Sequence, residues 1–516
     1  MNNATADFPD STDSRSQLCR SVYAILIFLS AGVMLGRILA VDSVDKIGIE
    51  KERLDKVSAQ MTEKQKALEA QGVFGEALQK TLGDYERHLQ KDAALQRPFL
   101  SANDRSRWCT VRALVEPDMQ VKGMPYAIDH VIQERNWDTI DMVKHDGHLY
   151  SSKPPLLPTL MAAVYWPIYH TTGMTLGTHP YEIGRFMLIL FNVVPLLIGF
   201  VLLAALVERF GTTDWGRIFV MAAAVFGTFL TTFAVVINNH VPAAVCIVIA
   251  TYAAVRIRFD GEQRLRYFVV AGLFSALAAA NEFPAAAFFA VLVAVLLWQS
   301  WRSTFFGFLP AVLVIGAAFF GTNWIAHQSL TPAYMHRSSV NKADNWYDYT
   351  FERNGRPVES YWNNPQGFDR GEPSQSRYAL HVLVGHHGIF SLTPIWLLSF
   401  VGIGVWLFHR IDPRMRWMAA AIALVSLACI AFYLARPSIE RNYGGVTSGL
   451  RWLFWLTPLW LLSMLPVLDF MSQRRWSRGL ALVLLAASAL SASYPTWNPW
   501  TQSWLTVFWR YLGVAA

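Results

Sequence analysis

The run Asn103-Asp104-Arg105-Ser106-Arg107-Trp108 sets one carboxylate among an amide and two guanidinium groups. Such arginines would keep Asp104 ionised at neutral pH, the state in which a general base can take a proton. A solvated, salt-bridged loop is the other reading of the same residues. Farther on, His145-Asp146-Gly147-His148-Leu149-Tyr150-Ser151-Ser152-Lys153-Pro154-Pro155 ends in a proline pair suited to opening a helix. Lys153, just before the pair, would lie at headgroup depth, where an ammonium either meets a lipid phosphate or anchors the helix. His145 and His148, with Asp141 and Asp146, have no helical register to fix a metal geometry, so loop polarity accounts for them. A divalent ion bridging a carboxylate and phosphate oxygens is the chemical alternative.

A second set lies at the ends of apolar runs. Arg185, Glu282 and Arg451 are ionisable groups that either face a cavity or anchor in headgroups. Glu282 would hold a sugar hydroxyl, a cation or a structural arginine, and His240 follows the polar corner Asn238-Asn239. Arg436, Glu440, Arg441 and Tyr443 precede Gly444-Gly445; the arginines suit a phosphate and the glycines permit close backbone approach. His387, in His386-His387-Gly388, opens a later apolar run. Between 326 and 387, Asn345-Trp346-Tyr347-Asp348-Tyr349 and Tyr361-Trp362-Asn363-Asn364 offer aromatic faces beside amides, suited to sugar rings and equally to a membrane interface.

The elements that must position these groups are apolar. Of 516 residues, 53% are hydrophobic, 14% aromatic and only 16% charged, which excludes an ordinary soluble globular protein. The net charge of +7 comes largely from arginines flanking apolar runs, which act as topology signals and exclude nucleic acid as the obvious partner. The four cysteines are scattered and imply neither a disulfide framework nor a zinc site. The expected fold is an all-α polytopic membrane protein of about eleven transmembrane helices. After a retained signal anchor, spans are expected near 181–207, 217–237, 240–256, 267–281, 284–300, 304–325, 388–408, 417–434, 449–469 and 478–492. Pro154 to His170 is read as an interfacial helix, because only then do the short connections bearing Arg209 and Arg217, Arg256 to Arg266, Arg302, Arg410 to Arg416 and Arg474 to Arg478 all fall inside. The polar loops then share the non-cytoplasmic face.

Ile47, Leu54, Met61 and Leu68 recur every seventh residue, and Leu78, Leu82, Tyr85 and Leu89 resume the pattern beyond Gly72 and Gly75. An external helical hairpin, with helices of about 24 residues and roughly 36 Å, is expected; a coiled coil mediating self-association or binding a protein partner through 45–97 is the rival. The chain thus divides into a tail and first span (1–41), the insert (42–97), a first external loop with interfacial helices (98–180), membrane spans (181–325), a large external loop (326–387) and C-terminal spans with an external tail (388–516).

Asp104, Arg107 and Trp108, followed by Tyr150 to Pro155, resemble the motifs of the C superfamily of membrane glycosyltransferases, which includes protein O-mannosyltransferases and lipid A aminoarabinose transferases. The resemblance implies an inverting transfer from a polyprenyl-phosphate sugar to a lipid, glycan or protein, with Asp104 as general base. Lys153, with Arg107, Arg441 or Arg451, would neutralise the departing phosphate, and Tyr150, His240, Glu282 and His387 would support the acceptor. Gly385 to Gly388 and Gly449 to Trp452 are short matches to later motifs. Arg105 stands where the family often has an acidic residue, and Asn238-Asn239-His240 where many members carry a second carboxylate. The competing functions are a transporter or flippase of lipid-linked sugars, and a membrane scaffold acting through the insert.

Overall fold

The apolar stretch Val22 to Ala40 has no proline and only one charge, Arg37, so nothing interrupts a helix. In the computed structural model, which describes residues 11–40, 46–93, 99, 101–134, 136–338, 344–408, 412–496 and 498–513, it forms the end of the helix Ser11–Ala40. Arg410, and the side chains of Ile47 and Leu54, lie outside the described residues.

The heptad segment folds as two helices, Lys46–Ala70 and Glu76–Ala93, which pack on each other. Gly72 and Gly75 take the left-handed backbone that the reversal requires. Leu68 is buried at the seam, Leu82 and Tyr85 are half-buried, and Lys64 Nζ lies 5.5 Å from the centroid of the Tyr85 ring. The second helix spans 18 residues, shorter than expected.

The remainder is largely helical, with membrane character. Among the described residues, six helices are long and apolar enough to cross a bilayer: Gln17–Ala40, Pro180–Phe210, His240–Arg258, Trp301–His327, Pro413–Leu434 and Arg475–Ser493. A pair bent by 43°, Arg451–Ser463 and Leu465–Met471, makes a seventh if taken as one span. Pro466 supplies no N–H to continue the ladder, which accounts for the break. The helix Trp396–Phe408 packs so closely there that a Cβ at Gly402 would overlap the Ser463 carbonyl. Leu265–Asn281, Phe283–Gln299 and Trp396–Phe408 are shorter apolar helices at positions where spans are expected.

The expected span 217–237 is α-helical only within Asp214–Phe226, with a single 3-10 turn at Phe233–Val235. Thr228 and Thr231 turn their hydroxyls back onto the carbonyls of Ala224 and Val225, and the chain continues irregularly although it is buried. Its backbone is satisfied by side chains: Asn192 Nδ2 donates to the carbonyls of Ala234 and Val236, and Asn238 Nδ2 to those of Phe233 and Val236. Non-helical backbone away from water demands such partners.

Among the described residues, two short hairpins shape the loops. Met142–His145 pairs antiparallel with His148–Ser151 across Asp146-Gly147, both at positive φ; Thr350–Arg353 pairs with Arg356–Glu359 across Asn354-Gly355, likewise. Trp346 of the large loop is stacked between His145, at 4.0 Å, and His336, at 3.7 Å, which clamps that loop to the first hairpin.

Candidate active site

The helix Ala102–Val115 organises the first loop. Ser101 caps it, its hydroxyl accepting from Asp104 N at 3.1 Å. Arg112, fully buried, donates to Glu116 and Glu134, while Glu116 also accepts from the Tyr165 hydroxyl and from Leu176 N. A buried arginine paired this fully fixes the helix against its neighbour Leu156–Thr172. From the same helix, Ser106 Oγ bonds the Asp141 carbonyl and the Ser151 hydroxyl, both at 2.6 Å, and so holds the open end of the first hairpin. Because Met142 pairs with Ser151, that end brings Asp141 beside Lys153, and Lys153 Nζ lies 3.0 Å from Asp141 Oδ1.

These two residues face a polar cavity of about 600 Å³. Arg107, Asn239, His240, Glu282 and Arg451 line it as well, joined in one network. Arg107 donates to Asn103 Oδ1 at 2.8 Å and to Asn239 Oδ1 at 2.6 Å. Asn239 Nδ2 donates to Glu282, and Glu282 pairs with His240 Nδ1. Arg451 Nη1 lies 2.9 Å from His240 Nε2. Since a guanidinium only donates, Nε2 must accept; the imidazole is therefore neutral, with its proton on Nδ1 toward Glu282. Arg451 also donates from Nε and Nη2 to the Gly444 carbonyl and lies 4.7 Å from the Trp500 ring centroid.

Consecutive left-handed residues, Tyr443, Gly444 and Gly445, carry that carbonyl. Tyr443 is held by stacking on His387, with 5.2 Å between ring centroids, and by edge contact with Phe368. His387 is wholly buried in this aromatic cluster, and burial followed by its histidine neighbour His381 pushes its pKa down to about 3. It supports the strap from behind instead of lining the cavity.

Electrostatics separate the two aspartates. Burial raises the Asp141 pKa, but Lys153, Arg451 and Arg107 outweigh it and hold the carboxylate below its usual range. Arg107, lowered by burial and by Arg451 to about 10, stays charged at neutral pH. Asp104 is buried; its Oδ1 accepts from Trp108 Nε1 at 2.9 Å and from Ile237 N at 3.0 Å, and desolvation outweighs these donors to push its pKa up to about 7. Ser101, Ala102, Asn103 and Arg107 line the cavity and Asp104 does not.

Of the residues singled out from the sequence, Lys153, Arg107, Arg451, His240 and Glu282 thus come together, while Asp104, Tyr150, Arg441 and His387 lie outside the cavity wall. Tyr150 is buried edge-on to His327, and Arg441 holds the carbonyls of Arg436 and Pro373. In the sequence Asp141 stands only as one of several acidic groups near two histidines; the Asp146-Gly147 turn, which sets the hairpin register, is the signal that pairs it with Lys153. Among the described residues, no group of three or more His, Cys, Asp or Glu side chains is arranged to hold a metal ion.

A second void of about 560 Å³ adjoins this one. Leu156, Leu160, Ile198, Val245 and Phe274 give it apolar walls between helices, and it shares Arg107, Pro154, Asn239 and Asn281 with the polar cavity. No family model matches the chain, and neither the curated proteins nor the solved structures hold a match.

Proposed function

We propose that this chain is a membrane glycosyltransferase that takes a sugar from a polyprenyl-phosphate donor. The observation that carries the reading is the junction at Arg107 and Pro154, where an apolar groove between membrane helices meets a polar cavity lined by Arg107, Lys153 and Arg451. An amphiphile with a long apolar chain, one phosphate and a polar ring has that same division. The resemblance carried by Asp104 to Trp108 and Tyr150 to Pro155 supports the same class.

In this reading the phosphate lies among Arg107, Lys153 and Arg451 and the prenyl chain follows the groove. The acceptor, a lipid, glycan or protein, enters beneath the large loop. Asp141, not Asp104, is the general base. It takes the proton from the acceptor hydroxyl or amine as that atom bonds to the anomeric carbon. The bond from that carbon to the phosphate oxygen breaks, and the electron pair leaves on the phosphate, whose growing charge the three cations stabilise. A single displacement inverts the carbon. Donor phosphate also competes with Asp141 for Lys153, so donor binding raises the basicity of the carboxylate when it is needed. Asp104 is a positioning residue that holds the irregular backbone at Ile237. The reading carries about eleven spans with the N-terminus inside, and an active site facing away from the cytoplasm, in the cytoplasmic membrane of a bacterium.

The test is transfer of radiolabelled sugar from a panel of polyprenyl-phosphate sugars in membranes holding the natural chain, Asp141→Asn or Asp104→Asn at matched abundance. Transfer lost in the first variant and kept in the second supports the reading. Transfer lost only in Asp104→Asn returns the base to that residue, and no transfer from any donor removes the enzymatic reading.

A further inference from the structure

At the far end of the helix His240–Arg258 from the polar cavity, roughly 28 Å away at the α-helical rise, lies a third void of about 410 Å³. Val255, Leu292, Val295, Ala421, Val425 and Leu459 give it apolar walls drawn from separate membrane helices. Its rim differs in kind. Trp298 and Trp417, 81% and 61% exposed, meet edge to face at 6.1 Å, and Arg258 and Arg414 stand beside them. Indoles exposed at a helix end beside arginines mark the interfacial depth of a bilayer.

The two arginines are not equivalent. Arg414 is answered by Asp412 at 2.7 Å. Arg258 makes no ion pair among the described residues: it donates to the neutral Gln299 Oε1 at 2.9 Å, and its charge acts on Asp412 only from beyond ion-pair distance. An apolar slot with a guanidinium over its mouth asks for an acyl chain beneath an anionic head, and the surrounding basic connections add to that preference.

We infer that the slot walled by Leu292, Ala421 and Val425 and roofed by Trp298, Trp417 and Arg258 is a binding site for an anionic glycerophospholipid. The lipid seats one acyl chain between the helices Phe283–Gln299 and Pro413–Leu434, and its phosphate takes the donors of Arg258. The site is independent of the transfer reaction.

The experiment uses the full chain, purified in detergent and incubated with phosphatidylglycerol carrying a photoreactive acyl chain. Label recovered in peptides containing Trp298 or the Trp417 to Val425 segment supports the site; label confined to other peptides overturns it. Native mass spectrometry then compares phosphatidylglycerol with phosphatidylcholine of the same chains. The natural chain is expected to retain the anionic lipid about tenfold better, and Arg258→Gln to retain the two equally while melting at the same temperature without added lipid. Equal retention by the natural chain overturns the headgroup assignment. Ala421→Trp, which fills the slot, is expected to lose both lipids. Inorganic phosphate that raises the melting temperature as much as phosphatidylglycerol would place the affinity in the arginines alone and overturn the lipid site.

Discussion

Asp104 and Asp141 both belong to the first loop and both lie near arginines, yet they occupy opposite environments. Behind the wall, Asp104 spends one oxygen on Trp108 and the Ile237 amide, and its burial favours the neutral form. Inside the cavity, Asp141 is met by Lys153 and stays ionised. Neighbouring charge along the chain therefore says little about protonation. What decides is which side of a wall the carboxylate faces and how many cations share that side.

The comparison breaks most easily at Asp141. Asp141→Asn should lower transfer by about 100-fold or more, the scale of a lost general base, whereas Asp104→Asn should stay within a few-fold because an amide oxygen still accepts from Ile237. The labelled-sugar assay separates the two. Equal losses would abolish the distinction.

A pH series sharpens it. Asp104 has a folded pKa of about 7, above its unfolded value, so the native state binds the extra proton and stability falls as pH rises from about 4 to 7. Asp104→Asn removes that penalty, on the order of 4 kcal/mol at full ionisation. Its melting temperature should gain on the natural chain between pH 5 and 8; parallel curves would place the carboxylate in water. Asp141 has the opposite sign: its depressed pKa contributes stability that is lost only as pH falls below the usual carboxylate range.

The strap comes next in size. Gly444 sits at φ +88°, and a Cβ there would meet Arg451 Nε at 3.2 Å. Gly444→Ala should cost about 1–2 kcal/mol in thermal stability and raise the donor KM more than it lowers kcat, because Arg451 loses its carbonyl anchor. The smallest effect is expected far away: Leu82→Asp, in the insert, should leave transfer from a soluble acceptor analogue within about twofold. A large loss there would tie the insert to catalysis.

Much of this was legible in the residues. The apolar runs ended close to the observed helices because hydropathy and flanking arginines report burial directly, and Lys153 and Arg451 met because each lies where an apolar run begins, with Arg107 reaching them from the loop helix Ala102–Val115. The protonation of Asp104 was not legible, because its spacing to Arg105 and Arg107 says nothing of direction: Arg105 turns to the carbonyls of Asp138 and Phe99, and Arg107 turns to Asn239. The end of helix near Phe226 was illegible for a similar reason, since the amides that satisfy the following backbone come from Asn192 and Asn238. Hydropathy alone cannot distinguish buried irregular chain from a span.

Arg451 opens a broken apolar helix, yet its guanidinium is aimed by the Gly444 carbonyl, which belongs to a loop leaning on His387 and Phe368. The charge that faces the cavity is thus set by a loop outside the helix that bears it. On the proposed reading, changes in the large loop would retune the reaction without touching any group that meets the substrate, leaving acceptor preference and chemical rate free to vary together.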